Sequence, residues 1–489
     1  METQALEKTF DTHDEFNRKP IAENIIRLLT SPIDLSPLVI DGGWGTGKTE
    51  FCQKLIQLMW RYSDYQPVYI DAFRTDHSGE PLLALLAEII KTCTPEDTDG
   101  QPSEKRKSFT KRIVKVAGFG IKTVFKAGTG YVLKQNTDDL IEKFRKIIND
   151  EQNAKNAAET VTGAATTFVN HSIDATVDAT VEALLKEQIE SEKNLETLKD
   201  CLKELAADKP IILFIDELDR CRPDYAVDML EVIKHVFDVE NVKVVLVTNT
   251  KQLRAAINHR YGMEVDAQKY LDKFLKYSFA LPDKVLDQNE SQGTIVAVQY
   301  FEPLLKNSRI FNELKELIEN EKIKNFICDM IKRTNISLRE TERLVRFLEI
   351  YHSLSGGLSN KERWEHILLV MTGIFIFCFY PNSIDDINKD YINAEDFSQL
   401  FKIQSLPQKP IDEANVNYAD VIAMMFIMCS KVKDPIFAFQ ISYNREYWQM
   451  HMNNLFLGNV NLDYDGIDGV FSVLKNTFRV LSLELLRKG

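Results

Sequence analysis

The stretch Pro37-Leu-Val-Ile-Asp-Gly42-Gly43-Trp44-Gly45-Thr46-Gly47-Lys48-Thr49-Glu50-Phe51 decides the fold class of this chain. Leu38–Ile40 is a short apolar run suited to a buried strand, and Glu50–Trp60 carries apolar residues at helical spacing. Between them lies Gly42-x-x-x-x-Gly47-Lys48-Thr49, a phosphate-binding loop in the strand, loop, helix setting that such a motif requires.

The chemistry follows from the residue types. Glycines at 42, 43, 45 and 47 let backbone N–H groups turn inward around an anion, and the positive end of the following helix faces it. Lys48 is expected to reach the β- and γ-phosphates and Thr49 to offer its hydroxyl to Mg²⁺. The whole segment Gly42–Glu50, with Trp44, Thr46 and Glu50 included, is read as the nucleotide-binding stretch, with ATP and Mg²⁺ as the cofactors. The loop does not choose between ATP and GTP.

The second decisive stretch is Pro210-Ile-Ile-Leu-Phe-Ile-Asp216-Glu217, a wholly apolar run ending in two acids, as a central parallel strand would. In a phosphate-loop protein this strand end is where the metal-supporting carboxylate belongs. Asp216 is therefore assigned to the metal, with Thr49, and Glu217 to orienting or activating the attacking water. Arg220 and Arg222 follow closely; one of them suits a finger on a neighbouring subunit's γ-phosphate, and Arg220 equally suits a structural pairing with Asp219 or a nearby acid. Val242–Asn249 reads as a further parallel strand. Asn249, with Thr248 in reserve, is placed either to sense the γ-phosphate or to cap the helix starting near Lys251.

The rest of the chain fits an α/β core with additions. Its 489 residues allow two to four domains, and 44% apolar with 27% charged residues is ordinary for a globular protein. With 73 acidic against 60 basic residues the net charge is −13, which argues against general coating of nucleic acid. Seven scattered cysteines without a C-x-x-C pair argue against a disulfide frame or zinc site and for a reducing compartment. No signal-peptide pattern opens the sequence, and the expected location is cytoplasmic or peripheral to a membrane. The one long apolar run, Ile367–Tyr380, is short for a bilayer and reads as a buried helix.

Residues 10–30 read as a lead-in helix with Pro20 in its first turn, Pro67–Phe73 as a second strand, and Pro81–Cys93 as a helix. Asp71 is expected as a strand-end carboxylate and Phe73 as a core aromatic. Residues 105–137 hold nine Lys or Arg and no acid; as a helix, Lys111–Lys126 would be basic and amphipathic. The segment 105–134 then suits either an anionic membrane, nucleic acid or acidic partner surface, or the protein's own acidic body. Residues 153–186 are small and weakly charged; 186–205 read as a charged helix.

Four segments together resemble the KAP-type P-loop NTPases, a branch of the AAA+/STAND-like ATPases. They are Asp41–Thr49 with its Trp44, Asp-Glu-Leu-Asp-Arg-Cys at 216–221, Tyr270–Pro282, and Leu338-Arg339-Glu-Thr-Glu-Arg343. The resemblance spans about residues 10–350 and implies a helical lid in which Arg339, or alternatively Arg343, senses nucleotide. Many relatives carry transmembrane helices between the two nucleotide motifs, but the insertion here holds too many lysines to cross a bilayer. The resemblance also implies a prokaryotic anti-phage setting with separately encoded effector proteins.

The expected architecture is a parallel-sheet P-loop NTPase core with helical additions. Residues 1–100 form the first half of the core, 101–205 a helical insertion, 206–282 the second half, 283–354 the lid and 355–489 a helical partner-binding domain. The expected function is that of a Mg²⁺-dependent ATPase acting as a regulatory switch or homo-oligomeric assembly. An ATP-stabilised scaffold tethered to membrane or nucleic acid is the alternative, and a small-molecule kinase a weaker one. His366, His451, Met424 and Met425 are read as core or surface residues.

Overall fold

The computed structural model describes residues 9–62, 64–94, 109, 195–285, 294–358, 363–391, 393–403, 417–429 and 466–483. The basic segment 105–134, apart from Phe109, and His451 lie outside the described residues. The chain divides into two compact units, the first holding most of residues 1–281 and the second Pro282–Gly489 with Glu15–Asn17 and Trp44–Thr46.

The first unit is built on five parallel strands in the order β2-β3-β4-β1-β5: β1 Leu38–Asp41, β2 Gln66–Asp71, β3 Ile211–Asp216, β4 Val242–Thr248 and β5 Tyr277–Ala280. Alternation along each strand divides the side chains between two faces. Val39, Val68, Ile70, Leu213, Ile215, Val244 and Leu246 turn to one layer of helices, α3 Pro81–Cys93, α4 Pro223–Val236 and α5 Thr250–Tyr261. Leu38, Ile40, Ile212, Phe214, Val245 and Val247 turn to the other, α1 Lys19–Thr30 and α2 Lys48–Tyr62. β3 is buried at every position, as a strand covered on both faces must be. Helical residues 195–207 add Leu198, Cys201, Leu202 and Leu205 to the first of these cores.

β1 lies between β4 and β5, so the chain leaves it through the loop and α2 and returns three strands away. Parallel order puts the C-terminal ends of all five strands on one edge, four of them ending in the polar residues Asp41, Asp71, Asp216 and Thr248, where open α/β sheets bind ligands. Phe73 departs from the sequence reading. It is 54% exposed, because the strand ends at Asp71 and the chain turns at once into a short helix, Ala72–Thr75, that buries Ala72 and points Phe73 outward. Asp71 caps that helix, accepting from the Arg74 N–H at 2.9 Å.

Among its described residues the second unit is helical apart from a small antiparallel pair, Lys284–Val285 with Thr294–Ile295. Its main helices are α6 Val296–Lys306, α7 Glu321–Thr334, α8 Leu338–Ser355, α9 Trp364–Phe379, α10 Tyr418–Cys429 and α11 Gly466–Leu481. One hydrophobic core, including Phe301, Phe326, Leu344, Phe375, Phe426 and Phe471, joins all six. Ile367–Ile376 of α9 is buried throughout, and Met424 and Met425 lie in the same core. Gly373 permits close approach to α11: a Cβ there would stand 3.0 Å from Thr477. Among the described residues no single helix is long and apolar enough to cross a membrane.

Candidate nucleotide site

β1 delivers the glycine loop and β3 delivers the acids. The Gly42 N–H donates to the Thr248 carbonyl at the end of β4 (3.3 Å), tying the start of the loop to the sheet. Gly45 and Gly47 take φ of +78° and +84°, the left-handed region that side chains resist and that lets successive N–H groups face one point. At Gly45 a Cβ would also come within 2.8 Å of Ser337 and Arg339, which share the second unit with Trp44–Thr46.

Lys48 opens α2 and is almost wholly buried. Its ammonium donates to the Gly42 and Gly43 carbonyls at 2.6 and 3.0 Å. Burial lowers its pKa, while the carboxylates of Asp219, Asp216, Glu217 and Asp41 pull it back up. One lysine thus sits in the field of four acids, a net negative surrounding that favours a metal cation arriving with a phosphate.

Asp216 ends β3 at 1% exposure. Burial pushes its pKa up to about 6, against the hydrogen bonds of Thr49, the Glu217 N–H and the Tyr69 hydroxyl, which favour the charged form. The Glu217 N–H donates to Oδ1 at 2.8 Å, and Tyr69, on the neighbouring β2, donates to Oδ2 at 3.2 Å. Burial raises the Tyr69 pKa as well, so the phenol stays a donor. Glu217 adopts a left-handed backbone, φ 61° and ψ 22°. Its Oε1 accepts from the Thr49 hydroxyl at 3.2 Å across 168 residues of sequence, and its Oε2 pairs with Arg220 Nε.

The neighbouring residues form the walls. Asp219 accepts from the Thr248 hydroxyl at 3.1 Å, joining the turn after β3 to the end of β4. Asn249 caps α5, its side-chain oxygen accepting from the Lys251 N–H at 3.1 Å. Asp41 accepts from both the N–H and the hydroxyl of Thr250, each at 2.9 Å. Arg222 closes on Asp76: its N–H and Nε donate to the two carboxylate oxygens at 3.0 and 2.9 Å. Glu50 stands on the exposed side of α2 and pairs with Lys54 at 2.9 Å. Arg339 is exposed near the start of α8, behind the Ser337 cap, and Arg343 lies over the Phe347 ring.

The structure therefore brings Lys48, Thr49, Asp216 and Glu217 together, places Asn249 and Glu50 in local pairings, and pairs Arg222 with the distant Asp76. Two contributors went unnoticed in the sequence reading, Tyr69 and Asp76; Asp41 entered it only within a quoted motif and Asp219 only as a partner offered to Arg220. Tyr69 carried the one usable signal, a polar-tipped aromatic in an otherwise apolar strand. Asp76 carried none, since only the fold brings it to Arg222, 146 residues away.

The donor set fits a magnesium nucleotide. Thr49 and Asp216 offer oxygen ligands of the kind a hard cation takes, while Lys48 and the positive-φ glycines offer cation and N–H groups to phosphate. Among the described residues there is no group of three or more His, Cys, Asp or Glu side chains that would hold a metal by themselves. A separate cavity of about 830 Å³ opens at the opposite, N-terminal ends of β1 and β4, among Ser36, Pro37, Val242 and Lys243.

Comparison with known proteins places this geometry in context. The model of the KAP family P-loop domain matches residues 18–355. The phage T7 exclusion protein of Escherichia coli (strain K12) is 23% identical over 271 residues, which is 55% of this chain and 33% of that protein. The chain thus spans about a third of the length of this curated relative.

Proposed function

Because the chain belongs to the KAP family of P-loop NTPases, we propose that it binds and hydrolyses Mg·ATP and uses the cycle as a regulatory switch. The observation that carries this reading is the Thr49–Glu217 hydrogen bond. It unites the loop after β1 with the acid after β3, the two halves that hydrolysis needs and mere phosphate binding does not.

In this reading Lys48 leaves the Gly42 and Gly43 carbonyls for the phosphates of a nucleotide held by the loop Gly43–Thr49. Thr49 and Asp216 hold the metal, and Tyr69 fixes the orientation of the Asp216 carboxylate. A magnesium ion there would supply positive charge to the phosphate oxygens as the terminal group departs. Glu217 orients the attacking water and accepts its proton. Arg339 on α8 reports the bound nucleotide, and the output is a change in assembly or in affinity for a partner. The relative's name supports a setting in phage exclusion, and the reading adds an effector on a separate chain.

The test is Glu217→Gln. It is expected to bind Mg·ATP while hydrolysis falls by about 10²–10⁴-fold, the usual contribution of a positioned general base. Its solution mass with Mg·ATP then separates two forms of the switch. A jump to a defined multimer supports ATP-driven assembly, and an unchanged mass supports reading by a partner protein. Hydrolysis at the unmutated rate would refute the role of Glu217.

A further inference from the structure

Both carboxylate oxygens of Glu217 are engaged by protein groups: Oε1 accepts from Thr49 and Oε2 pairs with Arg220, so these two contacts fix the direction in which a water-activating base must aim. The posture is also strained at the backbone. Glu217 lies at φ 61°, a left-handed conformation that a non-glycine residue keeps only where its surroundings enforce it. The enforcing element is visible. Leu218–Arg220 forms a single tight turn, closed by the Arg220 N–H on the Glu217 carbonyl at 3.1 Å and the Cys221 N–H on the Leu218 carbonyl at 3.3 Å. That turn swings the Arg220 guanidinium back onto the carboxylate three residues before it.

We propose that Arg220 is a positioning residue for Glu217 and acts as a brake: it keeps the carboxylate turned to Thr49 until nucleotide binding draws Thr49 off. This rests on the nucleotide reading above and adds its regulation. The alternative for this arginine, a finger for a neighbouring subunit, makes the opposite forecast, because a finger's loss slows turnover.

Three chains decide the matter: the wild type, Arg220→Ala and Arg220→Lys. Equilibrium binding of labelled Mg·ATP and steady-state turnover are measured on each. Hydrogen exchange of the amides of residues 217–221 is followed in nucleotide-free protein. A partly exposed pair of this kind restrains its partners by about fivefold in population. Arg220→Ala is therefore expected to raise kcat and the amide exchange of the turn by about that factor, with ATP affinity within about twofold of wild type. Arg220→Lys, which retains the charge, is expected to return both toward wild type. In the Glu217→Gln background Arg220→Ala should leave turnover unchanged, since the brake acts only through that carboxylate.

A fall in kcat with unchanged affinity would overturn the brake in favour of a direct transition-state role, and unchanged kcat and exchange would overturn it in favour of an inert pair. If the wild type binds no Mg·ATP, the nucleotide reading falls and takes the brake with it. If it binds and hydrolyses but ignores Arg220→Ala, the brake alone falls.

Discussion

The two strand ends that make the site are built in different ways. After β1, Gly42–Thr49 is shaped almost entirely by its own residues: glycines at positive φ, a lysine donating to carbonyls five and six residues before it, and a helix that starts at once. After β3, almost every side chain depends on a partner from elsewhere: Thr49 and Tyr69 on the acids, Thr248 on Asp219 and Asp76 on Arg222. The first is a local structure and the second an assembled one. A motif can encode the first within a few residues, whereas the second exists only after β2, β3 and β4 lie side by side.

Three substitutions probe that contrast. The largest effect is expected on the local side. Lys48→Ala removes the charge-assisted contact to phosphate, about 2–3 kcal/mol, so ATP affinity should fall about 100-fold by titration calorimetry while the unfolding midpoint stays near wild type. A comparable loss of stability would show that the loop, too, is held by the assembled network.

Asp76→Ala comes next and attacks the assembled side. It strips the buried acceptor from the Arg222 N–H and Nε, so a stability loss of about 1–3 kcal/mol is expected by urea titration, the cost of leaving such a donor unsatisfied. Affinity for Mg·ATP should fall less than fivefold. Loss of binding without loss of stability would mean that Asp76 and Arg222 belong to the ligand site itself.

The smallest effect has the opposite sign. Asp216 is a buried carboxylate whose pKa is raised to about 6, so its charge is paid for in fold stability at neutral pH. Without nucleotide, Asp216→Asn keeps the shape and removes that cost, and should raise stability at pH 7 by about 1–2 kcal/mol while abolishing Mg²⁺-dependent hydrolysis. The sign follows from linkage: a raised carboxylate pKa means that stability is greatest below the unfolded value and declines as pH rises toward 6. The wild-type advantage at low pH should therefore vanish in the variant. A less stable Asn variant would show that the hydrogen bonds from Tyr69 and Thr49 outweigh the burial of charge.

Much of the first unit was legible because its signals are short-range. The apolar runs 38–40, 67–70, 211–215 and 242–247 are strands, and Pro20 stands in the first turn of α1 and Pro81 in that of α3. Asn249 shows the limit. Its sequence position fits a phosphate sensor and a helix cap equally, and the cap is what its side chain does, because the Lys251 N–H lies two residues away. Phe73 failed for the complementary reason. Strand alternation was extended past Asp71, where the backbone had already turned into a helix. In the second unit the apolar run Ile367–Tyr380 marked α9, but nothing in it announced that one core would join α6 through α11.

By itself, then, the sequence determined that a phosphate loop follows one buried strand and a pair of acids ends another, because glycine placement and apolar runs act within a few residues. Only the tertiary structure decided what those acids face. Strand order β2-β3-β4-β1-β5 sets Tyr69 beside Asp216 and brings Thr49 to Glu217. Such pairings span 147 to 168 residues of chain, a separation over which no local spacing carries information and only the register of neighbouring strands does.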